Sequence, residues 1–286
     1  MADIPGKGKG LVATRAIKAG EQILVEKPVF ILSQRQCTEA AVAAAVAKLS
    51  PPDRVVFYSL ALAGVHEHLG PHYGRFMTNS IEADGQGGLF LVGSRFNNSC
   101  APNVSRRWDA GIGEVRFVAG VDIAPGDELE ITYGPLYEPR DERQQILRDM
   151  YGVDCECRAC SLSGDAQLDS DRRRTSIRTV QQRISTPGAM MKPDNFVALV
   201  KEGLALLLEE GLFTGASALA YEGVQAAAAW SDIEATRAWA VKALKLQELE
   251  GGVESSDYKM VKKVERNPKL HQSWGGYRTP RAVPRP

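Results

Sequence analysis

The strongest structural constraint in this chain is a C-x-C-x2-C run made of Cys155, Cys157 and Cys160. In a reducing compartment such a cluster indicates a metal site, because thiolates are soft ligands that suit Zn2+. Zinc takes four ligands in tetrahedral geometry, so a fourth ligand must come from elsewhere. Cys100, Cys37 and the histidines are candidates. Cys100 is favoured because it lies in a Ser-Cys-Ala-Pro turn, whereas Cys37 stands at the start of an Ala-rich helix. The alternatives are three free thiols, which would be open to oxidation, and Cys100 as a small buried apolar residue.

Composition predicts an intracellular globular protein. The 286 residues, 44% of them hydrophobic, suffice for one sizeable domain and a smaller one. The 35 Lys and Arg balance the 35 Asp and Glu, so the overall charge does not favour direct binding to nucleic acid or to an acidic membrane. No apolar run approaches the roughly 20 residues of a membrane span. We expect a monomer in the nucleus or cytoplasm, with no membrane partner.

The N-terminal half reads as strands with a helical insert. Predicted strands cover 11–13, 23–25, 89–92, 115–119 and 129–133, and the first two are expected to open a β-meander. From Thr38 an Ala-rich run predicts a helix with Thr38 as its N-cap, ending before Pro51. A second helix is expected over about 53–63. The insert as a whole is placed at about 38–68, within a domain that covers 1–135.

The C-terminal half reads as helical. A helix and the cysteine loop are expected over 136–161, and a polar link over 161–171 reads as a domain boundary. Residues 171–250 carry a helical pattern, and helical hairpins of the tetratricopeptide kind are possible there. The end, 251–286, is rich in Lys, Arg and Pro, and a flexible basic tail is expected. Docking of this tail on nucleic acid or an acidic protein surface is the alternative to a solvated end.

Three blocks carry a resemblance to a known family. They are 94–103 (SRFNNSCAPN), 126–134 (GDELEITYG) and 155–160 (CECRAC). In this order they resemble SET-domain protein lysine methyltransferases. The run 136–160 is most similar to the branch that carries a MYND zinc finger, but this chain lacks the finger, as finger-less fungal SET proteins do. The resemblance covers roughly residues 5–160.

The resemblance implies both a fold and an activity. The fold is α+β: a β-rich SET domain with a helical insert and a zinc-binding post-SET loop, followed by an all-α C-terminal region. The activity is methyl transfer from S-adenosylmethionine to a lysine side chain of a histone or another protein. The alternative function is a SET-fold binding module with little or no methyl transfer.

The resemblance also implies site residues. Tyr133, which closes the second block, matches the catalytic tyrosine. The expected zinc ligands are Cys100, Cys155, Cys157 and Cys160. The expected S-adenosylmethionine contacts are Lys7, Gly8, Lys9, Gly10, Asn79, Asn97, Asn98 and Tyr133. Taken without the family, Gly8-x-Gly10 and Asn97-Asn98 are ordinary turn sequences.

Two positions depart from the family pattern, and other residues stay open. Asn98 stands where histidine is usual, and Val153 stands where relatives carry an aromatic residue that stacks on adenine; Tyr151 is a candidate to compensate. These departures motivate the binding-module alternative. Trp108 and Tyr137 either line a lysine channel or fill core, and Phe117 is assigned to the core. The histidines at 66, 68 and 72 lack the H-E-x-x-H spacing and are interpreted as a solvated turn.

Overall fold

The computed structural model describes all residues 1–286, which form ten strands and nine α-helices. The strands are β1 (Ala2–Ile4), β2 (Gly8–Val12), β3 (Gln22–Glu26), β4 (Phe30–Leu32), β5 (Ile81–Ala83), β6 (Gln86–Leu89), β7 (Asn97–Asn98), β8 (Val104–Asp109), β9 (Glu114–Ala119) and β10 (Glu128–Ile131). The helices are α1 (Glu39–Ala47), α2 (Pro51–Tyr58), α3 (Tyr73–Asn79), α4 (Arg140–Tyr151), α5 (Gly164–Ile184), α6 (Pro193–Glu210), α7 (Ala216–Ala229), α8 (Ile233–Glu250) and α9 (Ser256–Arg266). No helix combines the length and hydrophobicity that a membrane crossing requires.

The strands form three small sheets. Their orders are β1-β2-β10-β7, β3-β9-β8 and β4-β6-β5, and only the β7-β10 pair is parallel. The expected opening meander is wrong, because β2 pairs with β10 and β3 pairs with β9, so the two lie in different sheets. Phe96 and Phe117 stack in the core between the sheets, with ring centroids 4.4 Å apart, as expected for Phe117. The α+β class with an all-helical C-terminal region is confirmed.

The helical insert extends beyond the predicted limit at 68. Helix α1 begins as expected, with the Thr38 hydroxyl accepting a hydrogen bond from the Ala41 N–H. A third helix, α3, then continues to Asn79, and it is held to α1 through Glu39. The Glu39 carboxylate accepts hydrogen bonds from the backbone of His72 and Tyr73, and it lies 2.6 Å from His72 Nδ1. His72 therefore ties α3 to α1, and His66 Nδ1 lies 3.0 Å from the Thr78 hydroxyl within the same segment.

The C-terminal helices pack around one apolar cluster. Trp239 is fully buried at its centre, and its ring lies so close to α7 that a Cβ at Gly223 would sit 2.3 Å from it. The polar link expected at 161–171 is instead the first two turns of α5, which begins at Gly164. Its polar residues are used in contacts: the Asp171 carboxylate accepts a hydrogen bond from the Arg140 N–H at 2.7 Å.

The flexible tail predicted for 251–286 is also wrong. Residues 256–266 form the amphipathic helix α9, which buries Val261 and Val264 in the cluster around Trp239. Near the end of the chain Val283 is buried in the same cluster, and the Pro284 carbonyl accepts a hydrogen bond from Trp239 Nε1 at 2.9 Å. The composition did not predict this packing, because only a few apolar residues, Val261, Val264 and Val283, make it within a segment rich in basic residues and proline.

Candidate active site and metal centre

The pairing of β7 with β10 places two asparagines beside Tyr133. Strand β7 runs parallel to β10, with Asn97 opposite Glu130. The Asn98 side-chain oxygen accepts a hydrogen bond from the Tyr133 N–H at 2.8 Å, and the Tyr133 hydroxyl donates to the Phe96 carbonyl at 2.7 Å. Both ends of Tyr133 are therefore held by the segment 96–98. Burial raises the pKa of the Tyr133 phenol, so it stays neutral.

Two cavities meet at Tyr133. The wide pocket, of about 420 Å³, is lined by Pro5, Gly6, Lys7, Asn97, Asn98, Tyr133, Gly152, Val153, Asp154, Cys155 and Glu156. The narrow cavity, of about 40 Å³, is lined by Thr78, Asn79, Ser80, Ile81, Gly93, Ser94, Phe96, Arg106, Ile131, Tyr133 and Tyr151. Tyr133 is the only residue that lines both. One ligand in each space would therefore contact the same residue, Tyr133.

The wide pocket carries more negative than positive charge. Its only cation, Lys7, lies with Nζ 2.8 Å from the Glu128 carboxylate and 2.6 Å from that of Glu130. Burial lowers the pKa of Lys7, but hydrogen bonds to the two carboxylates outweigh this effect and leave the pKa raised, so the ammonium persists. Asp154 and Glu156 also line the pocket. The pocket thus suits a ligand with positively charged groups.

Four of the expected cofactor contacts lie outside this pocket. Lys9 pairs with Asp3 across the β1-β2 edge at 2.6 Å, and neither Gly8 nor Gly10 lines the wall. Gly10 has a packing role, because a Cβ there would lie 2.7 Å from the Asn97 amide. Asn79 lines the narrow cavity instead, and its amide donates to the Ala61 and Arg75 carbonyls at 2.7 Å.

The three cysteines of the loop converge with Cys100. The four sulfurs all lie within 4.8 Å of one another, and those of Cys100 and Cys160 are 3.6 Å apart. Zn–S bonds of about 2.3 Å in a tetrahedron place sulfurs roughly 3.8 Å apart, so the spacing fits one zinc ion. All four cysteines are buried and free, and Cys37 is not part of the group. This is the grouping expected from the sequence.

Nitrogen donors contact three of the four sulfurs. The contacts are Cys100 N–H to Cys157 Sγ at 3.3 Å, Asn98 Nδ2 to Cys155 Sγ at 3.4 Å and Arg143 Nη2 to Cys160 Sγ at 3.9 Å. Such donors favour thiolates, the form that binds metal. Hydrogen bonds from the neighbouring thiols hold the pKa of Cys157 below its ordinary range and raise that of Cys100. The donor set therefore fits a zinc ion, and Asn98 links this cluster to the wide pocket.

Comparison with known proteins finds a family match for the N-terminal half of the chain. The model of the SET domain matches residues 8–134, a segment that includes Asn97, Asn98, Cys100 and Tyr133. This segment, rather than the whole chain, matches the SET domain. Over 274 residues, or 95% of this chain and 84% of the relative, it is 29% identical to "Histone-lysine N-methyltransferase set5" of Schizosaccharomyces pombe.

Other relatives match this chain over shorter segments. "N-lysine methyltransferase SMYD2" of Rattus norvegicus is 39% identical over 82 residues, which are 29% of this chain and 17% of that protein. "Protein-lysine N-methyltransferase SMYD4" of Homo sapiens is 38% identical over 131 residues, which are 45% of this chain and 15% of that protein. The chain thus resembles these two lysine methyltransferases over a small part of their length only.

One residue of the site was not foreseen because its partners are distant in sequence. Arg174 of α5 is fully buried and reaches from the helical region to the SET domain, where Nη2 donates to the Cys100 carbonyl at 2.9 Å. Its Nε donates to the Glu210 carboxylate at 2.8 Å. The available signal was its place on the buried face of α5, at the helical spacing that also buries Ser170 and Ile177.

The aromatic residues left open from the sequence are now placed. Tyr137 donates to the Thr214 carbonyl, and Trp108 lies at a separate cavity with Asp109, so neither lines the narrow cavity of the SET domain. Tyr151 lies with its ring centroid 5.1 Å from that of Tyr133 and lines the narrow cavity, so it does not replace the aromatic residue missing at Val153. Arg106, not considered from the sequence, is the only charged residue that lines this cavity.

Proposed function

We propose that this SET-domain protein is an S-adenosylmethionine-dependent protein-lysine N-methyltransferase, acting on a histone or another protein. The observation that carries the proposal is the position of Tyr133 as the only residue lining both cavities. One cavity would take the methyl donor, and the other would take the lysine side chain. The names of the relatives, all lysine methyltransferases, support the same activity.

The wide pocket is the proposed donor site. Its volume of about 420 Å³ falls within the range of small-molecule sites, and its carboxylates suit the sulfonium and amine of S-adenosylmethionine. Lys7 is the cation available to the carboxylate of the ligand. The Asn97 amide, which donates to Glu128 at 2.7 Å, keeps its side-chain oxygen as an acceptor. Asn98 supports the site indirectly, because both ends of its amide are already bonded to Tyr133 and Cys155.

The narrow cavity is the proposed lysine channel. When bound, S-adenosylmethionine supplies a methyl group on positively charged sulfur: the neutral amine forms the N–C bond, the S–C electron pair stays on the thioether, and the product ammonium loses a proton to water. The neutral Tyr133 hydroxyl, fixed against the Phe96 carbonyl, orients the amine. A channel of about 40 Å³ excludes water and holds the amine in line, which supplies much of the rate.

The four cysteines are the proposed zinc ligands. A zinc ion held by Cys100, Cys155, Cys157 and Cys160 would cross-link the SET domain to the loop that follows α4. That loop supplies residues 152–156 to the wall of the wide pocket. The metal would thus shape the donor site and take no part in the transfer itself.

Substitution of one hydroxyl tests the proposal. We expect Tyr133→Phe to lower methyl transfer from labelled S-adenosylmethionine to core histones by orders of magnitude. Tyr137→Phe is the matched control, because it too removes a hydroxyl bonded to a backbone carbonyl, at 2.8 Å, but lies outside both cavities. Circular dichroism and zinc content should match the wild type in both variants. Near-normal transfer by Tyr133→Phe would refute the assignment.

A further inference from the structure

Arg106 is an unusual residue for a channel that admits lysine. It extends from β8 and is the only charged side chain lining the narrow cavity. A lysine that enters as ammonium would meet a like charge in a cavity of only about 40 Å³. The residue therefore bears on how the amine loses its proton.

The charge of Arg106 is not neutralised by the protein. The buried arginines nearby have acceptors: Arg95 donates to the Ser59 carbonyl at 3.0 Å, Arg116 to the Gln22 side-chain oxygen at 2.8 Å and Arg143 to the Glu138 carbonyl at 2.6 Å, whereas Arg106 is half-buried. Arg106 has neither a hydrogen-bond acceptor nor a carboxylate within ion-pair distance. Glu82 is a carboxylate whose charge acts on Arg106, and it accepts a hydrogen bond from the Gly85 N–H. The positive charge of the guanidinium therefore acts on a group that occupies the narrow cavity.

The groups that face Arg106 do not change charge near neutral pH. Burial raises the pKa of both Tyr133 and Tyr151, so the two phenols stay neutral. Burial lowers the pKa of Arg106 from its ordinary value of 12.5, but a guanidinium remains charged far above neutral pH. Glu82 and, beyond Tyr133, Glu128 are the carboxylates whose fields reach this region. The cavity therefore presents one fixed positive charge beside two neutral hydroxyls.

Resting on the function proposed above, we propose that Arg106 lowers the pKa of the substrate lysine in the channel and so favours the neutral amine that accepts the methyl group. A like charge disfavours the ammonium by its Coulomb repulsion, and the effect grows where water is excluded. The displaced proton goes to water at the mouth of the channel. No general base is needed, and none of the lining side chains is one.

The pH dependence of the chemical step tests this role. Single-turnover methylation of core histones with labelled S-adenosylmethionine would be measured from pH 6.5 to 10 for the wild type and for Arg106→Gln. We expect the Gln variant to raise the apparent pKa of the bound amine by about one unit. Its rate should be about tenfold lower near neutral pH and should converge with the wild-type rate at high pH.

Two further variants separate charge from structure. Arg106→Lys keeps the charge and should retain the wild-type profile. Arg107→Gln, the neighbour on β8 that pairs with Asp257, should leave the profile unchanged. Parallel profiles for the wild type and Arg106→Gln, with no shift in apparent pKa, would overturn the proposal.

The failures of the two proposals are distinguishable. A Gln variant that loses affinity only for peptides with an acidic residue beside the lysine would show that Arg106 binds a carboxylate, and would also overturn this inference. Absence of any transfer by the wild type to core histones and to a lysine-peptide array would refute the methyltransferase function, and this inference with it. Transfer by the wild type without the shift removes only the role of Arg106.

Discussion

Arg174 connects the helical region to the cysteine cluster, and its substitution should lower both the free energy of unfolding and the affinity for zinc. The side chain is fully buried, while the Glu210 carboxylate that it pairs with is 4% exposed. Arg174→Met would leave Glu210 with a single cation, Arg173, and would leave the Leu136 and Cys100 carbonyls without their donor. Breaking a buried ion pair from one side costs about 3 to 5 kcal/mol. Because Arg173 still partners Glu210, we expect a loss near the lower value, about 3 kcal/mol.

Two assays measure this effect, and Arg173→Met is the matched control. Arg173 contacts the same carboxylate at 2.8 Å but is 30% exposed, so its loss should cost about 1 kcal/mol or less. Urea unfolding gives the free energy of unfolding for each variant. Competition with a chelator gives the zinc affinity, which should fall about 10- to 100-fold in Arg174→Met alone, as for other groups that support metal ligands. Equal values for the two variants in both assays would refute the connection.

Three other perturbations have defined outcomes. Gly223→Ala should lower the free energy of unfolding in urea by about 2 kcal/mol, because its Cβ would lie 2.3 Å from the Trp239 ring. The control Gly64→Ala places its Cβ in open space and should be near neutral. Equal losses of stability in the two variants would contradict the packing of α7 against Trp239. Burial lowers the pKa of His271 from 6.5, so the folded state binds a proton at this residue less readily than the unfolded state, and stability should fall as the pH drops below about 6.5. Thermal melts of His271→Gln should show a smaller fall in melting temperature over the same pH range. An equal fall would contradict this role of His271. Val153→Phe should bind S-adenosylmethionine about 3- to 10-fold more tightly by calorimetry, through stacking in the wide pocket, and unchanged affinity would place the adenine elsewhere.

Local sequence signals located the elements that carry chemistry. The C-x-C-x2-C loop indicated a metal site, and the Ser-Cys-Ala-Pro turn favoured Cys100 over Cys37 and the histidines as the fourth ligand. The resemblance to SET-domain enzymes implied the full set of four cysteines. Thr38 was found as an N-cap because its side chain bonds only three residues away. Strand β10 was found from its alternating pattern, but it ends at Ile131, so Tyr133 lies just beyond the strand rather than at its last position, where it was predicted.

Long-range partners explain most of what the sequence did not reveal. Strand β3 pairs with β9, which lies about ninety residues further along, so the spacing of turns alone suggested a false meander. The basic tail is held by Val283 and by a bond from Trp239 to Pro284, contacts that composition does not encode. The place of Arg106 in the narrow cavity likewise depends on the meeting of β8 with residues from α3 and α4.

A crystal structure with S-adenosylhomocysteine and a lysine peptide tests the central claim most directly. The account predicts the adenosyl ligand in the wide pocket beside Lys7, Asn97 and Val153, with its sulfur directed at Tyr133. The peptide lysine should enter through the narrow cavity past Arg106, so that sulfur and amine meet at the phenol. A ligand bound away from Tyr133, or a lysine that enters through the wide pocket, would contradict it.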